Sequence, residues 1–549
     1  MLLTAEVLLL AAWLCLALFL PYRSCRSWRL ERMFRSMAAH GPASILFVGF
    51  VAFGLAALAS YLRWPEPRIH DEFSYLLSAD TFCHGRLTNP PHPLAIYFET
   101  FHVNQRPTYC SMYPPAQGLV LACGWTVFGH PLAGVWLAFA LACAATCWML
   151  RAWLPPSWAL AGALLATLRL GFFGNDAYWS QSYWGGSVPM LGGALVLGAA
   201  RRLTASPRTI DGTILALGLA ILANSRPFEG AILGLVVAIY LLSALRDSGS
   251  RMALLRAALP CAGLLIVAAG GTLYYNATLT GRALLMPYVL NGREYSITPL
   301  FIWQPLAPEP AYHHAAIRSY HLKWAVPAYE HERTVAGYLH ELATRMRGFA
   351  GFYLGPMLLV PLAAAPWFWR KPQLRFAFAC LAAMACALAV TTWFQPHYLA
   401  PAAPLIFLLV AEGLRRLRLW RWHGKRVGAT LVATLPFVYA ALFLCYLVLP
   451  RSNVETWPLK RAELLARLER EGGKHVIVVR YAPDHDAHRE WVFNGADIDG
   501  SSVIWARDMG SEENAALLSY YRDRHIWLLD ADLEPAQLKL YASAVSVAR

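Results

Sequence analysis

Apolar positions along the chain come in long runs separated by short polar turns. The runs lie near 4–20, 43–62, 131–150, 158–173, 188–200, 210–224, 228–245, 254–275, 350–368, 375–394, 398–414 and 427–449. A membrane-crossing helix needs about 20 mostly apolar residues, so the pattern predicts about twelve transmembrane helices. One further run, 116–129, is bracketed by Pro114-Pro115 and Gly129-His130-Pro131. It is too short to span comfortably and reads as a helix lying at the membrane interface. Beyond residue 450 the pattern changes. Lys474–Tyr481 and His525–Asp530 read as buried strands, Arg461–Arg470 and Glu512–Arg522 as helices. The expectation is a polytopic α-helical membrane protein with a small C-terminal α/β domain. Its parts are an N-terminal helix and basic loop (1–42), a transmembrane core (43–449) and the tail (450–549).

Composition agrees with the pattern: 57% of residues are hydrophobic and 15% charged, against roughly 25% charged in a soluble domain. The net charge of +14 raises the question of nucleic acid. From Arg451 to Arg549, however, 13 basic residues meet 16 acidic ones, so the basic excess lies in the membrane part. There it sits in short turns, where the positive-inside rule puts it, and not on the face of a folded domain. Placing Arg23, Arg26, Arg29, Arg32 and Arg35 in the cytoplasm puts Arg151, Arg201-Arg202, Arg246, Arg251, Arg370-Lys371 and the 415–426 cluster there too. Counting 116–129 as a span would invert all the later clusters. The N-terminus, loops 63–130, 174–187, 224–228, 276–349 and 393–397, and the tail are then extracytoplasmic. The first run lacks a basic leader and a small-residue cleavage site, and reads as a retained span. The eleven cysteines show no metal-type spacing. Cys83 and Cys110 share the first outer loop and are the pair available for a disulfide in an oxidising compartment.

The outer loops carry the candidate chemistry. Ile69-His70-Asp71-Glu72-Phe73-Ser74-Tyr75 follows a span directly, and ionisable groups at that depth need a partner or a function. The bland reading is that both acids cap the next helix. Further along come Arg106 and Tyr113-Pro114-Pro115. The loop Gly174–Gly186 mixes Asp176, Tyr183 and Trp184 with amides and hydroxyls, which suits either a sugar or an interfacial aromatic belt. Arg226 and Glu229 lie between two apolar helices, as an ion pair or with Arg226 holding a phosphate in its guanidinium fork. His397-Tyr398 opens another span. His313, His314, His321 and His331 match no standard zinc spacing.

An Asp-Glu pair just after a transmembrane helix, then Pro114-Pro115 and an interfacial helix ending in Phe128-Gly129, resembles the GT-C superfamily of membrane glycosyltransferases. Among these it is similar to the bacterial protein O-mannosyltransferases and lipid A aminoarabinose transferases. The likeness covers roughly 43–449 in architecture and mainly 69–130 in motifs. It implies a GT-C-like helical bundle in which Asp71 is the catalytic base with Glu72 beside it. It also implies Asp176 in donor binding and His397-Tyr398 near the donor, while Tyr183, Trp184, Arg226, Glu229, Tyr113 and Arg106 are the remaining substrate-binding candidates. The partners are then a polyprenyl-phosphate-linked sugar, an extracytoplasmic acceptor and the bilayer, in a bacterial inner membrane with the active site and tail facing the periplasm. No cofactor is expected. Asp71, Glu72 and Asp176 are the acids that a divalent cation, as used by some oligosaccharyltransferases, would call on. Two departures stand out: the extra N-terminal span and Gln117 after the proline pair. The acidic triplets Asp484-His485-Asp486 and Asp497-Ile498-Asp499 sit in the tail, away from the membrane-side acids. A flippase or transporter, a non-catalytic assembly protein, and a glycan ligase or polymerase remain as alternatives. The last relies on outer-loop arginines and a histidine.

Overall fold

The computed structural model describes residues 2–19, 29–173, 178–246, 251–368, 370–448 and 456–541. Asp176 lies outside them. The chain divides into two compact units, one formed by 1–64, 132–270 and 339–452, the other by 65–131, 271–338 and 453–549. The segments gathered in the second unit are, within a few residues, the two large loops and the tail that the charge pattern puts on one side of the membrane.

The first unit is helical and apolar. Across the described residues, eight helices are long and apolar enough to cross a membrane: Gly41–Leu62, Pro131–Leu150, Pro156–Phe173, Pro227–Ala244, Arg251–Thr280, Pro372–Ala389, Pro396–Leu417 and Val427–Val448. The chain is an integral membrane protein. Thr4–Phe19 and Thr209–Ala223 are shorter apolar helices. The run 350–368 is not one helix. It divides into a wide turn at Ala350–Leu354, a helix Gly355–Leu362 and a short 3-10 turn at Ala365–Trp367. Gly355 at φ +57° and Pro356 interrupt the ladder, and Pro361 removes another donor. Close packing relies on small residues, as membrane helices do: a Cβ on Gly193 would stand 1.8 Å from the carbonyl oxygen of Pro401. The extra N-terminal helix is held by charge. Glu6 pairs with Arg169 at 3.0 Å, and Arg169 also donates to the carbonyls of Phe352 and Gly351.

The second unit combines the large loops with the tail. Helix His70–Cys83 packs on helix Pro115–Phe128, the short apolar helix assigned to the interface. Gly118 permits the contact, because a Cβ there would stand 2.5 Å from Cβ of Ser78. A small hairpin pairs β1 (Val103–Asn104) with β2 (Cys110–Ser111). Asn291 donates to Asn104 and to the carbonyl of Val103, tying the second loop to this hairpin. Cys83 and Cys110 are free thiols. Cys83 faces the carbonyl of Ala122, and Cys110 is buried beside Asn104 and Thr108.

The tail forms a four-stranded sheet of β3 (His475–Arg480), β4 (Val503–Arg507), β5 (His525–Asp530) and β6 (Gln537–Leu540), in the order β4-β3-β5-β6. β3 runs parallel to β4 and β5, and β6 is antiparallel to β5. The unbroken apolar run Val476-Ile477-Val478-Val479 makes a strand buried on both faces. The sheet sits on the first loop. Phe73 stacks on Phe493 at 4.2 Å, Arg507 donates to the carbonyl of Glu99 at 2.6 Å and pairs with buried Glu490, and the backbone of Ala496 donates to Asp80.

Candidate functional site

Asp71 and Glu72 start the helix His70–Cys83, yet they do different things. Ile69 stands at the cap position without a polar side chain, and Glu72, three residues on, reaches back. Its carboxylate accepts from the backbone N–H of Arg68 at 2.9 Å and of Ile69 at 3.1 Å, as the acidic half of a capping box does. Glu72 is 1% exposed. With two backbone donors on one oxygen it holds the helix start in place.

Asp71 points elsewhere. Its Oδ1 accepts from the hydroxyl of Tyr113, and its Oδ2 lies 3.8 Å from Nε2 of His102. The carboxylate keeps 18% of its surface open, so it is oriented by a phenol and still reachable. Tyr113 in turn stacks on Tyr75 at 4.5 Å, and its backbone N–H donates to Ser111.

His102, which sequence reasoning did not single out, faces Asp71. It sits at φ +62°, a backbone region that non-glycine residues rarely enter. Its carbonyl accepts from Ser74 at 2.6 Å and from the backbone of Met112 at 3.0 Å. Those bonds hold the strained turn that aims the imidazole at Asp71. Burial lowers the pKa of His102, with Asp71 pulling the other way. His70, one residue before Asp71, is neutral for a similar reason: burial holds it well below its ordinary value. Its Nε2 donates to the carbonyl of Ala487 and its ring stacks on Phe101 at 4.2 Å. The tail therefore lies against the acids at the membrane side, contrary to the reading that separated them. His485-Asp486 directly precedes Ala487, and His485 bonds Asp532 at 2.7 Å. Asp499 accepts from Tyr521 and Tyr520 and pairs with His92, a fully engaged structural carboxylate. Arg106 is exposed and offsets the charges of Glu99 and Glu294.

A second constellation lies in the first unit. Arg226 donates to Nε2 of His397, and Nδ1 of His397 lies 3.0 Å from the hydroxyl of Tyr178. A guanidinium has no acceptor atom, so Nε2 accepts and Nδ1 carries the proton toward Tyr178. Arg226 also lies 4.3 Å over the ring of Tyr398, and Trp184 meets His397 edge to face at 4.6 Å. His397 is fully buried, as Tyr183 and Glu229 nearly are. Four of the sequence candidates, Trp184, Arg226, His397 and Tyr398, thus come together with Tyr178, which the sequence placed in the aromatic loop without a role. Among the described residues no group of three or more His, Cys, Asp or Glu is arranged to hold a metal ion.

No protein-family model matches the chain, and no curated protein matches it by sequence. Similarity appears among solved structures. ArnT from Cupriavidus metallidurans in the apo state is 12% identical over 88% of this chain and 92% of its own, at a TM-score of 0.47. The same protein bound to undecaprenyl phosphate aligns over 92% and 94%, at 0.48. The oligosaccharyltransferase of Archaeoglobus fulgidus in the apo form is 11% identical over 89% of this chain and 69% of its own, at 0.43. At this level of likeness no residue role passes from them to this chain.

Proposed function

We propose that the protein is a membrane glycosyltransferase that moves a sugar from a polyprenyl-phosphate-linked donor to an extracytoplasmic acceptor, with Asp71 as general base. The observation that carries the reading is the division of labour between adjacent acids. Glu72 is consumed by the helix cap, whereas Asp71 is oriented by Tyr113, faced by His102 and left open. An acceptor hydroxyl must lose its proton as it attacks the anomeric carbon, and a positioned carboxylate with a free lone pair can take it. The leaving phosphate already carries charge and needs cations or donors more than an acid. Arg226, fixed by His397 and Tyr398, has the fork geometry for phosphate oxygens, and Trp184 offers an aromatic edge to a sugar. Tyr183 and Glu229 remain substrate-binding candidates, and Asp176 remains a donor-binding candidate from the sequence. The chemistry needs no resident metal or cofactor. The compartment we assign is a bacterial inner membrane with the site on the periplasmic face.

A glycan ligase or polymerase is the second reading, favoured by the direct bond between Arg226 and His397. One experiment separates the two. Purified protein in lipid nanodiscs is given a panel of radiolabelled polyprenyl-phosphate sugars and acceptors, and wild type is compared with Asp71→Asn and His397→Ala. Loss of transfer by at least about 100-fold in a folded Asp71→Asn supports the base. Transfer that survives Asp71→Asn but not His397→Ala points to the ligase, and no transfer from any donor by folded wild type rejects both.

A further inference from the structure

Next to the Asp71 cluster, rings from three separate chain segments converge without any role in the chemistry above. Tyr320 and Trp324 belong to the second loop. The backbone there widens into a π-helical turn, Tyr320–Ala325, a geometry that recurs at functional sites, and the two rings lie 4.8 Å apart. From the tail comes His488, edge-on to Trp324 at 5.0 Å and 88° and to Tyr320 at 5.6 Å and 71°. From the first loop come His70, parallel to His488 at 5.9 Å, and Phe101, 4.9 Å from Tyr320. His70 lies 5.7 Å from His102, which faces Asp71. Core packing accounts for the inner rings, His70, Phe101 and Tyr320, but not for the outer two. Trp324 is 43% exposed and His488 is exposed, so an indole face and an imidazole are presented to solvent at the end of a buried aromatic stack.

We infer that Tyr320, Trp324 and His488 form the subsite that receives a sugar ring of the acceptor, so that the acceptor is a neutral glycan; the inference rests on the glycosyltransferase reading. The axial C–H bonds of a pyranose carry slight positive charge and pack on the negative face of an indole or phenol. The imidazole and phenol supply hydroxyl partners along the edge. Burial holds the flanking His70 and His102 below the ordinary imidazole range, so these rings offer hydrogen bonds without a charge of their own, and the Asp71 carboxylate that faces His102 repels an acidic ligand. That suits hydroxyl-rich, uncharged ligands better than phosphorylated or acidic ones. The two aromatic positions of the second loop and the histidine of the tail then explain why both segments are built against the first loop: each contributes one wall.

The test is saturation-transfer-difference NMR on the full chain in nanodiscs, with maltotriose, cellotriose, mannotriose and chitotriose as probes. Transfer to the ring protons of at least one trisaccharide is expected from wild type and from Asp71→Asn. It should fall at least about fivefold in Trp324→Ala and His488→Ala and recover in Trp324→Phe, which keeps an aromatic face. Equal signals from wild type and both alanine variants would overturn the subsite, as would no saturation transfer from wild type, with a normal unfolding midpoint, to any of the four. Binding that depends on Trp324 without Asp71-dependent sugar transfer would sink the base and keep the platform, and the reverse pattern would do the opposite.

Discussion

Tyr113 donates its phenolic hydrogen to Oδ1 of Asp71, 42 positions earlier in a chain that the hairpin β1–β2 folds back on itself. The bond fixes one oxygen of the carboxylate and leaves the other toward His102. A hydrogen bond to a charged group contributes about 1.5–3 kcal/mol, and its main effect here is orientation. Tyr113→Phe is expected to lower kcat about 10-fold or more while the donor KM changes little and the unfolding midpoint stays within a few degrees. An unchanged kcat in steady-state transfer assays would remove Tyr113 from the site.

Arg226→Lys retains the charge but loses the fork and the flat face that lies on Tyr398. If Arg226 holds the carrier phosphate, the lysine variant raises the KM for lipid-linked donor by roughly 10-fold, and His397→Gln, which keeps an acceptor for the guanidinium, is milder than His397→Leu. Donor titrations of the four proteins check the order. Equal KM values would leave the pair with a structural role only.

The helix pair His70–Cys83 and Pro115–Phe128 depends on Gly118. Gly118→Val should destabilise the second unit by about 1–3 kcal/mol through overpacking. Ser78→Gly should recover part of that loss, because Ser78 is the nearest neighbour of the new side chain. Thermal unfolding of the single and double variants measures the coupling.

Buried histidines give the second unit a pH dependence of known sign. Burial pushes His314 down to about 3 and His321 down to about 4. Below about pH 6.5 the unfolded chain takes up protons that the folded protein refuses, so stability is full above that pH and falls as pH drops toward 4. Each such histidine steepens the fall by up to about 1.4 kcal/mol per pH unit. His321→Gln should flatten the midpoint-versus-pH curve between pH 6.5 and 4.5. A curve parallel to wild type would contradict the buried, neutral state.

Much of the architecture was legible because it follows from one-dimensional physics. Length and apolarity announce helices such as Gly41–Leu62 and Val427–Val448, and the arginine-rich turns order the loops. The strands His475–Arg480 and His525–Asp530 were readable from their short continuous apolar runs. Val503–Arg507 and Gln537–Leu540 were not, since the first has only four apolar residues before Arg507 and the edge strand is exposed. The break in 350–368 was signalled by Gly355, Pro356 and Pro361 but hidden by the continuous apolar run.

The sequence by itself determined that this chain lives in a membrane and that Asp71-Glu72 is worth attention, because solvation and charge act on local composition. Only the tertiary structure decided that Glu72 serves the helix start while Asp71 stays open, since that depends on where two carboxylates point by a few ångströms. It also decided that His102, at a positive φ held by Ser74, joins the site, and that His488 from the far end of the chain packs on His70. Those relations come from hydrogen bonds and ring contacts between residues distant in sequence, and no local pattern encodes them.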